Sequence, residues 1–115
     1  MKYYRDSDCR LKARIWFGPE TEGPPGHAHG GSIAAVMDEV LGLVAWAAGH
    51  PIVVGTLSIR FRSMLPLGKV VTVEGDVVSV EGRKVLVTGR IFCRKTVYAE
   101  AECLCIVIRG EGKSS

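Results

Sequence analysis

One stretch constrains the fold of this chain more than any other. Residues 32–48, SIAAVMDEVLGLVAWAA, form a helical run that is apolar nearly all round. A helix without a polar face must be covered on most of its sides. Gly49 stops it and Pro51 seals the end. Everything after it reads as strand. Residues 52–62 come first and end at the Leu65-Pro66-Leu67-Gly68 turn. Residues 69–80 alternate Val70, Thr72, Glu74 and Asp76 against Val71, Val73, Gly75 and Val77, the period-two pattern of a half-buried strand. Glu81-Gly82 reads as a hairpin turn, and residues 83–94 and 96–108 complete the set, the last with Glu100 and Glu102 outward. Before the helix, residues 11–17 also alternate, and residues 18–26 form a loop with three prolines. One long helix followed by an antiparallel meander predicts an α+β fold: a curved sheet of five to six strands wrapped around a central helix. Such a sheet leaves edges open, and open edges invite pairing with a second copy of the chain.

The 115 residues suffice for one domain, expected over residues 1–109 with a flexible tail at 110–115. The net charge of +3 comes without a basic stripe interleaved with aromatics, which argues against a nucleic-acid partner. The first twenty residues are charged and lack an apolar signal core, so a cytoplasmic chain is expected. Asp38 and Glu39 sit in the centre of the apolar helix and argue against a membrane span. Cys9, Cys93, Cys103 and Cys105 include no C-x-x-C pair; Cys103 and Cys105 fall on one face of a strand, as reduced core thiols would.

The chemistry concentrates in residues 23–39, GPPGHAHGGSIAAVMDE. Gly30 and Gly31 let a ligand's carbonyl approach N–H groups at the positive end of the helix. Asp38 and Glu39 place charge where burial costs several kcal/mol unless it is paired or protonated. Gly31 and Asp38 are seven residues apart, about 10 Å along a helix, so one carbonyl cannot meet both within one chain. If the helices of two subunits pack antiparallel, Asp38 of one approaches the Gly-Gly of the other, giving two symmetric composite clefts. That arrangement suits acyl transfer to water: Gly30 and Gly31 stabilise an oxyanion, Asp38 serves as general base or nucleophile, and a hydroxyl such as Thr56 holds the water. Composition alone leaves open a tight Gly-Gly turn beside a paired interface charge.

The run Gly-Pro-Pro-Gly-His-Ala-His-Gly-Gly-Ser-Ile-Ala-Ala-Val-Met-Asp-Glu, with Asp38 nine residues after His29, resembles the hotdog-fold acyl-CoA thioesterases that carry an HGG motif. The phenylacetate-type enzymes and the mammalian thioesterase superfamily members are the nearest groups. The likeness continues through Leu57-Ser-Ile-Arg-Phe61, Pro66-Leu-Gly68, Val80-Glu-Gly-Arg-Lys84 and Val97-Tyr-Ala-Glu100, covering roughly residues 16–108. It implies a hotdog fold, homodimers sharing one continuous sheet, and often homotetramers. It implies hydrolysis of an acyl-CoA thioester, with coenzyme A as part of the substrate and no metal or other cofactor. It assigns the oxyanion amide to Gly30, the acid to Asp38 from the partner subunit, and the assisting hydroxyl to Thr56. A register fitted to members with a shorter helix–strand loop puts Val54 there instead. Many members also carry an Asn or Gln before HGG; this chain has no Asn, and Glu22 and Gly23 occupy that region.

Further candidates are His29, which orders the loop, lines the pocket or acts as base, and His27; either it or a backbone group substitutes for the missing amide, or this subgroup does without one. Glu39 lies about 100° around the helix from Asp38, as a helper or an interface partner rather than the main acid. Arg60, Arg62, Arg83 and Lys84, with Lys69, are candidates for the coenzyme A phosphates. His27, His29 and His50 lack the spacing of a zinc site. Two rival readings are an acyl-CoA hydratase or dehydratase, whose Asp-His pair is missing here, and a non-catalytic acyl-CoA or fatty-acid binding module. A thiol-release assay separates the three.

Overall fold

The computed structural model describes residues 2–7 and 10–108 of the chain. Cys9 and the expected tail at 110–115 lie outside them. Strands β1 (Lys2–Ser7) and β2 (Arg10–Trp16) precede the helix α1 (Gly30–Ala47). Strands β3 (Ile52–Phe61), β4 (Val70–Glu81), β5 (Lys84–Cys93) and β6 (Thr96–Val107) follow it. All neighbours are antiparallel in one six-stranded sheet, ordered β1-β2-β4-β5-β6-β3.

Two features depart from the expected meander. β1 forms a hairpin with β2, a strand that its charged sequence conceals. β3 does not pair with β4, the next strand in sequence, but crosses to the far side of β6, so it stands at the open edge. Only β4, β5 and β6 form a meander, through two-residue turns in which Gly82 (φ 60°) and Arg94 (φ 56°) take the left-handed conformation.

The helix lies across the sheet with Ile33, Met37, Val40, Leu41, Val44 and Ala45 buried. They meet the inward rows Ala13 and Ile15, Val71 and Val73, Val85 and Val87, and Cys103 and Cys105. Two glycines set how closely helix and sheet approach. Gly75 and Gly89 face each other in register across β4 and β5, and both lie under the helix. A Cβ on Gly89 would stand 2.5 Å from Leu41 Cδ2 and 2.9 Å from the Glu74 carbonyl oxygen; one on Gly75 would stand 2.7 Å from Val44 Cγ2. The sheet thus offers bare backbone where the helix presses in.

The helix is not covered all round in a single chain. Ala35, Asp38, Glu39, Leu43 and Trp46 are exposed. The two carboxylates therefore lie on the exposed face of the helix.

Candidate functional site

The helix N-terminus is built by the segment that precedes it. His29 is the N-cap, with extended backbone at φ −83° and ψ 156°. Its backbone N–H is tied to the Thr21 carbonyl at 2.8 Å, and Ala28 donates to the Leu65 carbonyl at 2.9 Å. The His29 ring folds back over the first turn: Nδ1 accepts from the Ser32 N–H at 3.1 Å and Nε2 lies 2.9 Å from Ser32 Oγ. A neutral ring that accepts at Nδ1 carries its proton on Nε2, which donates to Ser32. The ring occupies the space beside Gly31, where a Cβ would stand 3.0 Å from Nδ1 and Cε1. The histidine thus caps the helix by folding across Gly31, where an added side chain would press on the ring.

The cap satisfies the Ser32 amide and leaves Gly30 and Gly31, whose N–H groups donate no hydrogen bond among the described residues. First-turn amides of a helix have no intrahelical partner. They carry the positive end of the helix dipole. Gly30 also faces open space. With Pro24, Ala28, Ile33, Phe61, Arg62, Ser63, Met64 and Leu65 it lines a cavity of about 340 Å³.

Asp38 stands two turns down the helix, about 12 Å from Gly30 at ~1.5 Å per residue. Its charge is felt by the thiols of β6. Burial first, then the hydrogen bond from Cys105 and the negative charges of Cys105 and Asp38, push the Cys103 thiol up to about 12. Burial and Asp38 raise Cys105 as well. The two sulfurs are 3.3 Å apart and fully buried, the reduced core pair expected from their spacing.

A bulge at Gly55 decides which side β3 residues face. Before it Val54 pairs with Cys105; after it Thr56 pairs with Leu104 and Leu57 with Cys103. Register partners share a face. Val54 and Leu57 therefore lie on the helix side with the two thiols, while Thr56 lies on the outer face with Leu104. The structure does not bring the Thr56 hydroxyl to the acid-bearing side of its own chain; Val54 occupies that side.

The remaining candidates separate into three places. His27 belongs to the loop, where its Nδ1–H donates to the Pro25 carbonyl at 2.9 Å and its backbone carbonyl accepts from Gly23 N–H, also at 2.9 Å. Glu22 accepts from the Gly26 N–H at 2.8 Å and closes the same loop. Glu39 is exposed beside Asp38. Arg62 donates from Nε and Nη2 to Glu100 at 3.0 and 2.7 Å, and Arg60 is Glu100's register partner on the neighbouring strand. Arg83 donates to the Val107 carbonyl at 3.2 Å, and Lys84 pairs with Ile106. Glu100 and Ile106 are six residues apart on β6, roughly 20 Å at ~3.3 Å per residue. The basic residues thus form two groups at opposite ends of the sheet rather than one cluster. Lys69, nearer the helix N-terminus, donates to the Tyr98 hydroxyl at 3.3 Å.

Sequence reasoning missed the cavity wall formed by Phe61, Met64 and Leu65. Phe61 continues the inward row of Leu57 and Ile59 past the bulge, and that apolar row, running on into the Met64-Leu65 loop, was the available signal.

Among known proteins, the thioesterase superfamily profile matches residues 25–100. The chain is 35% identical over 72 residues to the mouse (Mus musculus) acyl-coenzyme A thioesterase THEM5, covering 63% of this chain and 29% of that protein. It is 44% identical over 57 residues to human (Homo sapiens) THEM5, covering 50% and 23%. The chain therefore spans less than a third of the length of these relatives. A crystal structure of a thioesterase superfamily protein superposes with TM-score 0.86 at 31% identity, over 90% of this chain and 54% of the other. The Streptococcus mutans protein smu.793, solved bound to acetyl-CoA, superposes with TM-score 0.86 at 21% identity, over 92% and 86%. Zebra fish thioesterase superfamily member 2 gives 0.85 at 13% identity, over 93% and 80%, the same hotdog architecture. With this fold, and with a family match running from the Pro-rich loop through α1 to β6, the chain belongs to the thioesterase superfamily.

Proposed function

We propose that the chain is an acyl-CoA thioesterase that works as a homodimer with two composite clefts. The observation that carries this reading is a coincidence of spacing. Gly31 set opposite a partner's Asp38, and Gly30 opposite its Glu39, share one midpoint, between Ala34 and Ala35. An antiparallel helix pair centred there would put small residues at the crossing, where backbones can approach closely. The open β3 edge lies alongside and supplies unpaired backbone groups for a continuous sheet. Exposed Leu43, Trp46 and Val53 are the apolar surface such a dimer would cover.

In the cleft, the thioester carbonyl lies against the Gly30 amide, which holds the oxygen as it gains charge. The partner's Asp38 removes a proton from water as the new oxygen–carbon bond forms, or attacks the carbonyl carbon itself. Collapse of the tetrahedral intermediate breaks the carbon–sulfur bond and expels coenzyme A as a thiolate, which takes up a proton; the base route leaves the free acid directly, whereas the nucleophile route leaves a mixed anhydride that a water then splits into the free acid and the Asp38 carboxylate. Antiparallel pairing also reverses the partner's strands, which supports a role for its Arg83 and Lys84 at the same cleft as Arg60 and Arg62 of the first chain. The named activity of the THEM5 relatives and the acetyl-CoA bound by smu.793 support the substrate class.

The Asp38→Asn variant tests this. Thiol release from an acyl-CoA panel should fall to background while sedimentation shows an unchanged dimer. Undiminished release removes Asp38 from the mechanism, and a monomeric active chain removes the composite cleft.

A further inference from the structure

The outer face of the sheet, turned away from the helix, changes character along its strands. Its middle row runs Arg60, Glu100, Arg90, Glu74 and Lys12 across β3, β6, β5, β4 and β2. Opposite charges alternate there, with Glu74 3.2 Å from Arg90 Nε and 3.7 Å from Lys12 Nζ. Cross-strand neighbours of opposite sign neutralise one another. Toward the strand ends that lie by the helix N-terminus the pattern breaks. The next row is Arg14, Thr72 and Phe92, and the last is Trp16 beside Val70. Trp16 and Val70 are 57 and 54% exposed. Phe92 is half-buried, with the Arg90 guanidinium 4.4 Å over its ring. Arg14, Lys69, Arg94 and Lys95 surround these residues, and all four are exposed. Lys69 precedes Val70, and Arg94-Lys95 make the turn just past Phe92. Lys69 donates to the Tyr98 hydroxyl; Arg14, Arg94 and Lys95 pair with no carboxylate among the described residues. Of the acids at this end, Glu20 folds over Gly18 with Trp16, Glu22 is tied into its loop and Glu100 is held by Arg62.

We propose that this end of the outer face docks on an anionic phospholipid bilayer. Trp16 and Val70 enter the headgroup boundary, and Arg14, Lys69, Arg94 and Lys95 meet the lipid phosphates. An exposed indole has an apolar body and a polar N–H, which suits it to a layer that is hydrocarbon on one side and wet on the other. Peripheral attachment of this kind grows with the apolar area buried and with the attraction of cations to anionic lipid. Here the two coincide: exposed apolar residues lie inside a ring of cations short of counter-ions, whereas the self-neutralised middle row offers a bilayer neither. Charge also decides against two other occupants. A second copy laid face to face would set these cations against their own kind. A nucleic acid would use the cations and stack on Trp16 but gain nothing from the aliphatic Val70. The inference is independent of the hydrolytic reading, and a dimer formed through the β3 edge and the exposed helix face leaves this surface open.

The experiment floats the protein with vesicles of phosphatidylcholine alone and with vesicles in which about a third of the lipid is phosphatidylserine. The native chain should bind the anionic vesicles at least tenfold more tightly than the neutral ones, and should leave them as salt is raised to about 0.5 M. One basic residue at such a surface is worth about a fivefold change in affinity, so Arg14→Gln combined with Lys95→Gln should weaken binding about 25-fold. Trp16→Ser should weaken it about tenfold or more. Indole emission should shift to the blue on binding, and that shift should vanish in Trp16→Phe. These side chains are exposed, so thermal melts of the variants should match the native chain. No binding overturns the proposal, and so does equal binding to neutral and anionic vesicles. Binding that neither the double variant nor Trp16→Ser weakens places the lipid contact elsewhere and overturns it too. Displacement from the vesicles by free coenzyme A at matched ionic strength would make the patch a site for soluble phosphates, and tighter capture of a single-stranded oligonucleotide a site for nucleic acid; either result refutes bilayer docking.

Discussion

Gly30→Pro is the sharpest perturbation the site allows, because it deletes one N–H and little else. Gly30 is the first helical residue, where the amide has no intrahelical partner and where proline's fixed φ already suits the helix. The residue before a proline must be extended, and His29 is, at φ −83° and ψ 156°. The added Cβ would meet only Phe61, at 3.4 and 3.8 Å, ordinary contact distances. Folding stability should therefore change by less than about 1 kcal/mol. Loss of one preorganised oxyanion donor costs about 2.7–4 kcal/mol of transition-state stabilisation, a drop in kcat of roughly 10²–10³. A thiol-release assay reads kcat, and a thermal melt checks the fold. The same variant tests the composite cleft. In a mixed dimer of Gly30→Pro and Asp38→Asn chains, one cleft has intact donors and an intact acid while the other has neither. Random equal mixing makes half the dimers mixed, so activity should return to about a quarter of native from two nearly inactive parents. Full activity in Gly30→Pro removes this amide from the mechanism. Persistent inactivity of the mixture would mean that donor and acid come from one chain.

Gly89→Ala should destabilise the fold by about 1–3 kcal/mol in urea unfolding. The new methyl would meet Leu41 and the Glu74 backbone at 2.5 and 2.9 Å, and unchanged stability would mean that the helix does not press on the sheet there. Alkaline unfolding should report Cys103, whose thiol burial carries from 9.0 up to about 12. Between those values the unfolded chain has released a proton that the folded chain still holds. This group's contribution is therefore complete below 9.0 and is lost as pH rises through the window, with a limiting slope of about 1.4 kcal/mol per pH unit. Cys103→Ala should flatten that part of the profile in melts between pH 8 and 11; an identical slope would assign it to other groups.

The sequence by itself determined what depends on local repetition. The apolar run of α1, its Gly49 stop, the period-two rows of β4 and the Glu81-Gly82 hairpin are short-range patterns, and each lies within a residue or two of where it was expected. The Gly-Gly pair at a helix start and an acid two turns on were equally legible, because helical rise turns spacing into distance. The tertiary structure decided what depends on strands meeting across long loops. It put β3 beside β6 at the open edge, added β1, and spread the basic residues between two ends of the sheet. The bulge at Gly55 turned Thr56 to the outer face, since one inserted residue reverses every side chain beyond it. The Gly75–Gly89 seat and the cavity under Phe61 likewise exist only once distant segments pack. Periodicity is written along the chain, whereas pairing partners and register are settled by the competition of non-local contacts, which no single segment records.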